Sequence, residues 1–67
     1  MHIISEVIFM ITIKDLRIAT GLSQNKFAVL LEIPVANIQK WEQGVSAPPE
    51  YVLKLIRRDL IHKGYAV

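Results

Sequence analysis

The 67-residue chain carries eight Lys or Arg against six Asp or Glu, a net charge of +2, and is 52% hydrophobic and 21% charged. That balance excludes a disordered polar tail, and the lack of cysteine excludes a disulfide framework or a thiolate metal site. A chain this short buries only about 60% of the surface its unfolded form exposes, so one domain with a small core, helped by self-association, is expected.

Residues 1–11, MHIISEVIFMI, are the most apolar stretch. Glu6 interrupts them and they fall short of the ~20 residues that span a bilayer, so no membrane segment is expected. They have neither a basic leading region nor a small-residue cleavage site, and the expected location is the cytoplasm. Branched side chains at 3, 4, 7, 8 and 11, with Phe9, favour a short N-terminal β-strand. A lone strand has unpaired backbone groups, so the arm is expected to dimerise with a second copy through Ile3, Val7 and Phe9. An extra helix or a frayed arm is the alternative.

From Thr12 the periodicity is helical. Thr12 and Asp15 have the spacing of a capping box, Ile13, Leu16 and Thr20 share one side, and Gly21 is placed to close the first helix. Arg17 sits among apolar neighbours, where its charge needs water or a carboxylate. Ser23 caps a second helix whose buried stripe is Phe27, Ala28, Leu30 and Leu31. Pro34 pushes Ile33 toward extended backbone and suits the start of a third helix, so the turn lies at about Glu32 to Pro34. In the third helix Ile38 and Trp41 point inward, Val35, Ala36, Asn37, Gln39, Lys40 and Gln43 lie on outer faces, and Gly44 ends it.

LSQNKFA, a turn, then IQKWEQG and a later proline resemble the helix-turn-helix of phage Cro and repressor proteins and their bacterial relatives, the XRE family. The resemblance covers about Ile13 to Leu60 and rests on Gln24, Ala28, Ile38, the Trp41–Glu42 pair and Gly44 at the family's spacings. It implies an all-α fold, a compact lambda-repressor-like bundle of four or five helices that binds double-stranded DNA as a homodimer, its third helix in the major groove. Ser23 and Gln24 would then grip a phosphate at a helix N-terminus, a contact that positions but reads no bases. Val35 and Ala36 would enter the groove first and meet thymine methyl groups. Polar readout would fall to Asn37, Gln39 and Lys40, with guanine opposite Lys40. The family's arginine-glutamate pair becomes Arg17 and Glu42. Two positions depart from the pattern: Glu32 stands where glycine is common, and Pro34 where Ser or Thr usually caps.

VSAPP is a connector, and Pro49 with Glu50 opens a last helix to about His62, with Gly64 as its stop. Its apolar set covers two adjacent stripes. One is expected on the bundle and the other against a second chain, with Leu53 and Leu60 as dimer contacts; the alternative is a helix buried between the core and the N-terminal arm. The organisation expected is thus an arm (1–11), a DNA-binding domain (12–63) and a tail (64–67). No cofactor or metal is expected, nor catalysis, because His2 and His62 have no carboxylate cluster beside them. Two functions fit: a sequence-specific repressor on a palindromic operator, or an antitoxin of the HigA sort that holds a toxin protein and autoregulates its operon.

Overall fold

The computed structural model describes residues 11–67, in which four helices enclose one small core. They are α1 (Ile13–Thr20), α2 (Gln24–Leu31), α3 (Val35–Gln43) and α4 (Glu50–His62). The expected strand and the contacts of Ile3, Val7 and Phe9 lie outside the described residues.

Local chemistry sets each boundary. At α1 the Thr12 hydroxyl accepts from the Asp15 amide at 3.2 Å and the Asp15 carboxylate accepts from the Thr12 amide at 2.9 Å, a reciprocal cap. Gly21 closes the helix at φ 75°, where a side chain would be strained. Ser23 Oγ accepts from the Lys26 amide at 3.2 Å and starts α2. Pro34 precedes α3 with its fixed φ of −55° and no side-chain cap. Pro49 stands in the same place before α4.

Between α2 and α3 the chain turns on Glu32, which takes the left-handed conformation at φ 57°, ψ 38°. It is the described residues' one non-glycine at positive φ. The turn is held because the Ile33 amide donates to the Ala28 carbonyl at 3.0 Å and the Ile33 side chain packs against the core. For glutamate that conformation costs on the order of 1 kcal/mol. Glu32→Gly is therefore expected to stabilise the fold by no more than about 0.5 kcal/mol, most of the relief being offset by the freer unfolded chain, and to raise Tm by at most about 4 °C. Thermal unfolding followed by circular dichroism checks this.

The core is Ile13, Leu16, Phe27, Ala28, Ile38, Ile56 and Leu60, with Phe27, Ile38 and Leu60 wholly buried. Ala28 lets neighbouring backbones approach, and α3 packs against both α2 and α1. Two placements differ from those expected. Val35 is half-buried and packs against the core rather than standing on the outer face. Leu60, expected at a dimer contact, is wholly buried within its own chain and has no surface left for a second one. The two stripes of α4 do separate: Ile56 and Leu60 face the core, while Leu55 and Ile61 are 54% and 50% exposed. Among the described residues no helix is long and apolar enough to cross a membrane.

Candidate nucleic-acid interface

Three apolar or half-buried positions hold α3 to the bundle: Val35, Ile38 and Trp41. One turn on, at 100° per residue, the opposite side carries Ala36, Lys40 and Gln43, flanked by Asn37 and Gln39, and all five are exposed. None of these five side chains is engaged in a hydrogen bond or ion pair within the described residues. The face therefore presents a methyl group, three side-chain amides and a lysine ammonium. That set can contact a thymine methyl and both donor and acceptor edges of bases.

Beside α3 stands the N-terminus of α2. Its first amides have no partner inside the helix and carry the positive end of the helix dipole, so an anion is favoured there. Ser23 is exposed and spends its hydroxyl on the Lys26 amide. Gln24 is half-buried.

Gln24 is held by a network that joins three helices. Arg17 at the end of α1 donates from Nε to Glu42 Oε2 at 2.7 Å and from Nη2 to Glu42 Oε1 at 2.9 Å, a bidentate pair. Its remaining nitrogen Nη1 donates to the Leu22 carbonyl at 3.1 Å, pinning the α1–α2 link. Gln24 Nε2 donates to Glu42 Oε1 at 3.1 Å. Glu42 is thus the hub, and its side chain is only 5% exposed against 18% for Arg17. The bonds from Arg17 outweigh the cost of burial and hold the Glu42 carboxyl below the usual carboxylate range, with smaller help from Gln24 and the Lys14 charge. The same hydrogen bond raises the Arg17 guanidinium above its ordinary value.

The Arg17–Glu42 pairing matches what the resemblance implied. The bond from Gln24 was not foreseen, because the resemblance assigned that amide to a phosphate and Glu42 lies 18 positions away. That bond uses one of the two N–H groups of Gln24, leaving the other N–H and the carbonyl oxygen for an outside partner. Leu53, the other helix residue expected at a dimer contact, is half-buried against the core. Among the described residues no three His, Asp or Glu side chains come together in a way that could hold a metal ion.

A capped helix, a tight turn and a second helix with one face free define a helix-turn-helix. A family model described as Helix-turn-helix matches residues 13–60, most of the chain, and the protein belongs to this XRE-type family of DNA-binding transcription regulators. No curated relative and no solved structure matched the chain.

Proposed function

We propose that the protein is a sequence-specific repressor that binds a palindromic operator as a homodimer, with α3 in the major groove and half-sites about one helical turn, ~10 base pairs, apart. The observation that carries this reading is the free face of α3: Ala36, Asn37, Gln39 and Lys40 are exposed together beside the α2 N-terminus with Ser23 and Gln24. Lys40 is assigned to guanine, Asn37 and Gln39 to neighbouring base edges, and Ala36, with the exposed edge of Val35, to thymine methyls. Gln24 contacts a phosphate with the N–H that Glu42 leaves free. The dimer contact is assigned to the flank of α4 that exposes Tyr51 and Leu55, near the half-buried Leu30, Leu31 and Ile33. Such a regulator works in the cytoplasm.

Selection of bound sequences from a random DNA pool tests the reading. The expected result is an enriched palindrome whose recovery is lost with Lys40→Ala, at a cost of about 1–3 kcal/mol in discrimination at one base pair of each half-site. Binding should weaken steeply as salt rises. No enriched site at low salt would sink it.

The exposed Tyr51 and Leu55 also suit a protein partner, which supports a second reading as an antitoxin that sequesters a toxin enzyme and represses its own operon. A toxin-like reading frame directly beside this one in the genome would favour that second reading.

A further inference from the structure

On the flank of α4 away from Leu55 an open groove of about 340 Å³ lies between Ile11 and the helix. Leu16, Leu53 and Ile61 make its apolar surface, and Ile61 remains 50% exposed in it. The rim is charged. Lys54 Nζ lies 3.4 Å from Glu50 Oε1, and Arg57 donates to the Val67 carbonyl at 3.3 Å. Arg58, also on the rim, has no carboxylate partner among the described residues.

We propose that this groove is the seat of the chain's own leading segment, residues 1–10, which lays Val7 and Phe9 on Leu53 and Ile61 and brings Glu6 to the arginine rim. Position comes first. Ile11 itself lines the groove, so the ten preceding residues start at its edge. Extended, they reach at most about 36 Å, more than the roughly 20 Å length of a 13-residue helix such as α4. Chemistry is the second argument. MHIISEVIFM is apolar apart from His2, Ser5 and Glu6, and its single carboxylate has the sign that the rim lacks a partner for.

Size agrees as well. A cavity of about 150 Å³ holds one benzene, so this groove takes about two bodies of that volume, a phenylalanine ring and a branched aliphatic side chain. Tethering decides between the chain's own segment and a neighbour's. A segment joined directly to the groove has an effective concentration of about millimolar or more, well above that of a second copy in dilute solution.

The experiment uses the full-length chain. Nuclear Overhauser contacts are sought between Phe9 or Val7 and the methyl groups of Leu53 and Ile61, first in uniformly labelled protein and then in a mixture of labelled and unlabelled chains filtered for contacts between molecules. The expected result is contacts within one chain and none between chains. Contacts only between chains would overturn the proposal in favour of an exchanged arm, and no contacts at all would overturn it outright. Phe9→Ala and Ile61→Ala supply an independent readout. Each should lower Tm by several degrees, and the double variant should fall by clearly less than the sum, because both remove the same contact. Additive losses would count against it. Neither measurement involves DNA, so the result stands apart from the repressor reading.

Discussion

Arg17→Met is expected to cost about 3–5 kcal/mol, because it leaves the Glu42 carboxylate almost shut off from water with only Gln24 to bond it. The burial of the two partners is unequal, and so are their losses. In Glu42→Gln the stranded group is Arg17, 18% exposed, which can turn toward water, so that variant should lose less. The pH dependence gives a second signature. Glu42 titrates lower in the folded chain than in the unfolded one, so its stabilisation is complete above the ordinary carboxylate range and is lost as pH falls through the folded value. Removing Arg17 removes the largest cause of that depression, and the acid slope of stability should flatten. Urea unfolding of both variants and the parent between neutral and acid pH measures both effects. A methionine variant that melts like the parent would place the pair among exposed ones, worth about 0–1 kcal/mol.

Phe27→Ala is expected to be as severe by a different route. The ring is wholly buried, and truncating such a residue costs about 3–5 kcal/mol in lost transfer energy and cavity. At roughly 0.05–0.15 kcal/mol per residue the whole chain has only about 3–10 kcal/mol to lose, so the variant should be largely unfolded near 37 °C. Val29→Ser is the control from the same helix, since Val29 is 78% exposed and its replacement should change stability by no more than about 0.5 kcal/mol. Circular dichroism at 222 nm separates the two.

What could be read from the chain alone was set by how far apart the interacting groups lie. The Thr12–Asp15 box, the Ser23 cap, and the glycines at 21 and 44 are local, each satisfied within one turn, and all stand where the spacing predicted them. Glu32 was marked only through the resemblance, as the residue standing where glycine is common, and it takes the left-handed conformation in the turn. The Arg17–Glu42 pair spans 25 positions and was indicated by family resemblance rather than by periodicity. Gln24 and Glu42, 18 positions apart, meet only once α2 and α3 have packed at one particular offset, which no residue count reveals. Leu60 and Val35 were misplaced for a related reason. An apolar residue on a wide stripe shows that something covers it, and tertiary packing decides whether that is the same chain or another.

The division of α3 into an anchored side and a free side has a consequence for how such a protein can change. Val35, Ile38, Trp41 and Glu42 hold the helix in place, while Ala36, Asn37, Gln39, Lys40 and Gln43 hold nothing inside the chain. Replacing those five residues should therefore leave the melting temperature nearly where it was. The residues that fix the helix and the residues proposed to read DNA are thus separate sets, and the second can be exchanged without touching the first.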